Sequence, residues 1–203
     1  NNTCKPLVKI NGKQILDYLL KKISKSDINN IIILAGYKGD HIYKNYHGKI
    51  INKKKIKCIL EKKPLGTGGA LLLAKKILTN KFLVINGDTI FNININNIIK
   101  INLAKDFSFL ALTKSNKKKN GKLNSLNLKE NFIIFDKKFK YQNGGIYFLK
   151  KSILKNFISN TYNSLENIIT KKINQNKVIG KYYKSYFLDI GTPKDLIRSR
   201  KEF

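Results

Sequence analysis

The chain has 203 residues, 42% of them hydrophobic and 10% aromatic, enough to fill one well-packed domain and too few for two. Its formal net charge of +29 is almost wholly lysine, because arginine occurs only at Arg198 and Arg200 among 41 basic residues. These lysines are spread along the chain without interleaved stacking aromatics, which argues against a nucleic-acid groove, and no apolar run reaches the length of a membrane span.

The helical spacing of Ile15, Leu16, Leu19, Leu20 and Ile23 predicts a first helix over Gln14 to Ser24. A strand over Asn30 to Ala35 follows, then a short helix over Gly39 to Tyr46. A second strand, Ile56 to Glu61, ends at the turn Pro64 to Gly69. Gly69 to Leu78 reads as a helix packing a Leu and Ala face. Phe82 to Phe91 is a buried-strand run interrupted by Gly87-Asp88, which sets a carboxylate at a strand's carboxyl end. A helix at Asn94 to Asn102, a strand at Phe107 to Thr113 and a lysine-rich loop at Lys114 to Lys122 come next. Leu123 to Leu128 and Asn131 to Phe135 form a hairpin turning at Glu130-Asn131. The strand Gly144 to Leu149 is entered through Asn143-Gly144-Gly145. Helices are predicted at Lys151 to Ile158 and Leu165 to Asn174, and strands at Val178 to Tyr183 and Tyr186 to Leu188. A last helix runs from Pro193 to Arg200 with Thr192 as its cap. The alternation predicts an α/β, Rossmann-like fold: one domain over 1–203 with a mostly parallel sheet and helices on both faces.

In such a sheet, ligands bind beyond the carboxyl ends of the strands, where a carboxylate can hold Mg²⁺ against a phosphate. Asp88 has that place. The turn Pro64-Leu65-Gly66-Thr67-Gly68-Gly69 supplies glycines that let backbone amides approach a ligand. Each signal alone has an ordinary reading, a turn Asp or a tight helix start. Cys4 and Cys58 show neither metal-ligand spacing nor a disulfide framework, which suits a reducing, cytoplasmic location. His41 and His47 read as surface residues.

Six segments in colinear order resemble sugar-1-phosphate nucleotidyltransferases, of the nucleotide-diphospho-sugar transferase fold. They are Lys5-Pro6-Leu7-Val8 with Asn11-Gly12-Lys13; Glu61 with Pro64 to Ala70; Asn86-Gly87-Asp88; Asn143-Gly144-Gly145-Ile146-Tyr147; Ser164-Leu165-Glu166; and Asp189-Ile190-Gly191-Thr192-Pro193. Within the family the likeness is to guanylyltransferases of D-glycero-α-D-manno-heptose 1-phosphate, then of mannose 1-phosphate. The resemblance implies attack by a sugar-phosphate oxygen on the α-phosphorus of a nucleoside triphosphate, GTP by preference, with pyrophosphate leaving. The product would serve capsule or lipopolysaccharide synthesis.

The resemblance also implies roles for residues. Lys5, Asp88 and Asp189 would be catalytic, with Mg²⁺ held by Asp88 and Asp189. Glu61, Gly66, Thr67, Gly69 and Asp88 would meet the nucleotide, and Gly121, Lys138, Asn143, Gly144 and Glu166 the sugar. Lys138 takes the place of a family lysine in a Phe-x-Glu-Lys pattern, but here Phe135-Asp136-Lys137-Lys138 has Lys137 where Glu is expected. Taken singly, Asp189 reads as a helix cap and Glu166 as a helix-start acid. The family opens with a buried strand and a Gly-x-Gly-Thr-Arg loop that this sequence lacks, so a longer protein is expected. A catalytically silent sugar-nucleotide-binding domain of the same fold, and a basic nucleic-acid-binding protein, are the alternative readings. A homo-oligomer is compatible with the sequence.

Overall fold

The computed structural model describes residues 4–115, 122–190 and 195–197. A 3-10 turn at Lys5–Leu7 leads into a small hairpin of β1 (Lys9–Ile10) and β2 (Lys13–Gln14). Its turn residues Asn11 and Gly12 have φ of 46° and 78°, values their types tolerate. The sequence pattern missed this hairpin because two-residue strands leave no periodicity. α1 (Ile15–Ser24) buries Ile15, Leu16, Leu19 and Leu20, and its Asp17 accepts a hydrogen bond from the Gln14 amide at 3.3 Å, closing a capping box. β3 (Ile31–Ala35) and β5 (Lys54–Leu60) pair in parallel through α2 (Gly39–Tyr46), and β4 (Ile50–Ile51) pairs antiparallel with β5.

Beyond them come α3 (Gly66–Leu73), β6 (Lys81–Ile85), β7 (Thr89–Phe91), α4 (Ile95–Ile99) and β8 (Ser108–Lys114). The hairpin β9 (Leu126–Lys129) and β10 (Phe132–Phe135) turns at Glu130 with φ 56°, followed by β11 (Tyr141–Lys150), α5 (Leu165–Asn174), β12 (Val178–Tyr182) and β13 (Phe187–Asp189). A six-stranded sheet has the order β6-β11-β8-β12-β10-β9. β8 and β12 pair in parallel, and β6 runs in the same direction because both it and β8 are antiparallel to β11. The alternating elements thus lie parallel as expected, while β10 and β11 make the sheet mixed. Each is set by its neighbours: β10 is antiparallel to β9 and β12, and β11 to β6 and β8.

Helices cover both faces. Leu110 and Leu112 of β8 join Leu71 of α3 and Leu165, Ile169 and Ile173 of α5 in one cluster. Phe109 and Ala111, pointing the other way, join Ile95 and Ile98 of α4. β8 is accordingly buried from Ser108 to Thr113, as a strand covered on both faces must be.

Two helix expectations are corrected. The helix placed at Gly69 to Leu78 starts at Gly66 and gives way to turns after Leu73, where the Lys75 amide reaches back only to Leu72. The helix placed at Lys151 to Ile158 is a 3-10 segment, Lys151–Asn156, pinned at its start by the Lys151 amide donating to Asn80. The loop beyond Ser115, including Gly121, and most of the helix predicted at Pro193 to Arg200 lie outside the described residues.

Candidate active site

The site is built where β6 ends. Gly87 lies under Pro6, whose Cγ is 3.2 Å from where a Cβ on that glycine would stand. Pro6, second in the 3-10 turn, presets its φ, and Lys5 before it reaches Asp88, its Nζ 3.5 Å from Oδ2. The side chains are 51% and 27% exposed, so the pair is wet and labile. Asp189 closes β13 and stands opposite Thr89 in an antiparallel ladder, and the Ile190 amide donates to the Asp88 carbonyl at 3.0 Å. Two carboxylates 101 positions apart in number therefore end on adjacent strands, both half-buried. Thr89 donates its hydroxyl to Asp88 Oδ1 at 3.5 Å.

No group of three or more His, Cys, Asp or Glu side chains suited to a metal occurs among the described residues. Mg²⁺ requires no such group. That ion takes one or two protein carboxylates and fills its octahedron with water and substrate phosphate.

Asn86 joins this cluster to the next by donating its amide to the Gly145 carbonyl at 2.9 Å. Gly145, with φ 72°, and Gly144 form a bulge in β11, where pairing with β8 shifts between Asn143 and Tyr147. A Cβ on Gly144 would stand 2.4 Å from the Phe91 ring, so this glycine serves packing. The Asn143 side chain donates to the Tyr147 hydroxyl at 2.5 Å and accepts from the Gly145 amide at 2.8 Å, leaving one N–H for a ligand. Tyr147 is held well above the usual phenol range, first by burial and then by the nearby Glu166 carboxylate. Asn143 and Glu166, predicted to act together, thus both act on one tyrosine, the first by a hydrogen bond and the second by its charge.

Glu166 sits in the first turn of α5, after Ser164, which accepts from the Asn167 amide at 3.1 Å. The preceding Asn163 is laced to the glycine-rich turn: its carbonyl accepts from the Gly68 amide at 2.9 Å, and its amide donates to Leu65 at 2.7 Å. Gly66 has φ 69° and its Cβ position is 2.6 Å from that Asn163 carbonyl, so no other residue fits. A Cβ on Gly69 would meet Leu65 at 2.7 Å, while Thr67 is exposed. Glu61 accepts from the Leu65 amide at 3.2 Å, clasping the turn from below. Lys138 is placed apart from these groups. Its amide donates to Asp136 Oδ1 at 2.8 Å, which with the Asn127 amide holds the Asp136 carboxyl below its ordinary range.

Residues 1–203 match the nucleotidyl transferase family. The chain belongs to that family. It is 32% identical over 197 residues to the D-glycero-alpha-D-manno-heptose 1-phosphate guanylyltransferase of Campylobacter jejuni, covering 94% of this chain and 86% of that one. It is also 31% identical over 215 residues to the bifunctional protein GlmU of Methanococcus maripaludis, covering 98% of this chain and 49% of that one. The crystal structure of HddC from Yersinia pseudotuberculosis superposes with a TM-score of 0.79 at 28% identity, covering 100% of this chain and 91% of that one. The same protein complexed with GMP-PN gives 0.75 at 29%, covering 98% and 89%.

In this nucleotidyl transferase, a cleft of about 810 Å³ is lined by Lys114, Lys137, Lys138, Lys140, Tyr141 and Tyr182. It opens at the same sheet edge as Asp88, since Lys114 and Tyr182 end parallel strands. Of its lining, sequence reasoning singled out Lys138 alone; basic and aromatic residues recurring at strand ends were the available signal. Neither Asp88 nor Asp189 lines this cleft. His41 and His47 are both exposed, as read from the sequence, and His47 also accepts from the Cys58 amide at 3.1 Å and stacks on Tyr43, tying α2 to β5.

Proposed function

We propose that this nucleotidyl transferase joins a sugar 1-phosphate of heptose or mannose type to GTP, releasing pyrophosphate in the cytoplasm to supply surface polysaccharide synthesis. The observation that carries this reading is the Asp88 and Asp189 pair, fixed on adjacent strands by the Ile190 amide, with Lys5 alongside. The likeness to the guanylyltransferases, and to HddC complexed with GMP-PN, supports the base.

Asp88 and Asp189 would hold Mg²⁺, which when bound neutralises phosphate charge and orients the α-phosphate. Lys5 would leave Asp88 for a phosphate oxygen once substrate arrives, a move that costs little from an exposed pair. The glycine-rich turn, held rigid by Glu61 and Asn163, offers the base an unmoving edge. Asn143, with its remaining N–H, and Glu166 would orient sugar hydroxyls. Positioning two anions in line supplies most of the acceleration, because the protein makes no covalent bond.

Pyrophosphate release across a matrix of nucleoside triphosphates and sugar 1-phosphates tests the proposal. Fastest release with GTP and a manno-configured sugar 1-phosphate is the expected result. Preference for UTP, CTP or dTTP would overturn the guanylyl assignment, and silence with every pair would favour a binding domain.

A further inference from the structure

Away from these carboxylates, α1 and its C-cap carry Tyr18, Lys21, Lys22 and Lys25 at positions i, i+3, i+4 and i+7, one stripe along the helix. They line a cleft of about 580 Å³ completed by Ile90, Asn92 and Tyr186. Lysines at a helix's carboxyl end are ordinary, because they complement the dipole there, and the exposed Lys21 and Lys25 alone carry no more than that. Lys22 differs. It is half-buried, its ammonium donates to the Phe91 carbonyl, and burial pushes its pKa down to about 8. Among the described residues no acidic side chain pairs with any of the three. A desolvated cation with two more beside it and no counter-charge is an arrangement that an incoming anion relieves.

We propose that this cleft is a second anion site, distinct from the active site, which takes the phosphate group of a small phosphorylated metabolite. Lys21, Lys22 and Lys25 meet the phosphate oxygens, the exposed side-chain amide of Asn92 donates beside them, and Tyr18 and Tyr186 flank the rest of the molecule. The volume exceeds what a bare phosphate needs. The place is also mechanically connected to the chemistry. Phe91, whose carbonyl holds Lys22, pairs with Phe187, and the Asn92 amide donates to Tyr186 at 2.9 Å. The same two strands end in Asp88 and Asp189, roughly 10 Å along the ribbon at strand rise. A ligand that draws Lys22 away from Phe91 acts on the ribbon that sets the two carboxylates.

The test labels the ten tyrosines with ¹³C in the full chain and titrates inorganic phosphate, pyrophosphate and glucose 6-phosphate without Mg²⁺. Phe substitutions identify the Tyr18 and Tyr186 signals. Saturable shifts of those two are expected, weakened about tenfold or more by Lys21→Ala with Lys25→Ala. Lys75→Ala with Lys76→Ala, which removes equal charge from an exposed turn, should leave affinity within about twofold. Shifts confined to Tyr141 and Tyr182 would put the anion in the Lys138 cleft and overturn the proposal. Equal weakening in the Lys21/Lys25 and Lys75/Lys76 double variants would reduce the effect to the net charge, and parental affinity in the first would remove its lysines from the site; either overturns the proposal. Inorganic phosphate binding that the two larger probes cannot match would overturn the metabolite reading, whereas equal or tighter glucose 6-phosphate binding supports it.

Discussion

Replacing Asp88 by Asn separates what its carboxylate does for the fold from what it does for chemistry. The change keeps shape and leaves the backbone bond from Ile190 to the residue 88 carbonyl in place. What is lost for stability is one ion pair at 3.5 Å whose partners are 51% and 27% exposed, worth about 0–1 kcal/mol. A melting temperature within about 4 °C of the parent follows for a chain of this size. For turnover the loss is much larger. A metal that neutralises phosphate charge is worth several kcal/mol, and 4 kcal/mol is roughly a thousandfold in rate. Pyrophosphate release at saturating GTP and sugar 1-phosphate measures the second quantity, and a far-UV circular dichroism melt the first, since the chain has no tryptophan. A variant within about tenfold of parental turnover at unchanged melting temperature would remove Asp88 from the metal site. A melting temperature lowered by more than about 10 °C would make the carboxylate structural instead.

Gly144→Ala forces a Cβ to 2.4 Å from the Phe91 ring and 2.8 Å from the Ala111 carbonyl, so it should cost about 3 kcal/mol and lower the melting temperature by roughly 6–12 °C. A parental melt would show that β11 relaxes freely. Tyr147→Phe removes the acceptor of the Asn143 amide and should raise the sugar 1-phosphate KM severalfold with the GTP KM unmoved; a sugar 1-phosphate KM equal to the parent's would dissociate Asn143 from the sugar. Lys22 has a folded pKa of about 8 against 10.5 in the unfolded chain, so the unfolded state holds more protons between them and stability rises with pH there. Relative to Lys22→Met, the parent should gain about 1 kcal/mol from pH 8 to 9.5 in urea titrations, the full shift being discounted for partial exposure; parallel pH curves would refute the burial argument.

Long periodic segments were readable because burial imposes a period. Ile15, Leu16, Leu19 and Leu20 of α1 are all buried, and α2 and α5 have the bounds their patterns predict. Features set by contacts distant in sequence were not. The direction of β11 is set by its antiparallel ladders with β6 and β8, and the start of α3 depends on Asn163, 97 positions beyond Gly66, accepting from the Gly68 amide. Nor did the pattern distinguish the glycines' duties. Gly66 and Gly144 sit against a carbonyl and an aromatic ring, Gly87 against Pro6, so much of the glycine signal records close backbone packing around the site rather than room for a ligand.

That packing explains why the site residues were legible as motifs at all. Lys5 reaches Asp88 only because Pro6 seats on Gly87; Asn86 reaches Gly145; Gly144 admits Phe91, which holds Lys22 through its carbonyl. Each short motif pairs a residue suited to phosphate or sugar chemistry with a small or preset neighbour that lets another motif come close. A substitution at a packing member should therefore act on distant chemical members through the ribbon of β7 and β13, and pairs such as Gly144→Ala with Asp189→Asn should be non-additive in turnover. A double-mutant cycle on pyrophosphate release checks this: a coupling below about 0.5 kcal/mol would mean that the bulge and the carboxylates are set independently.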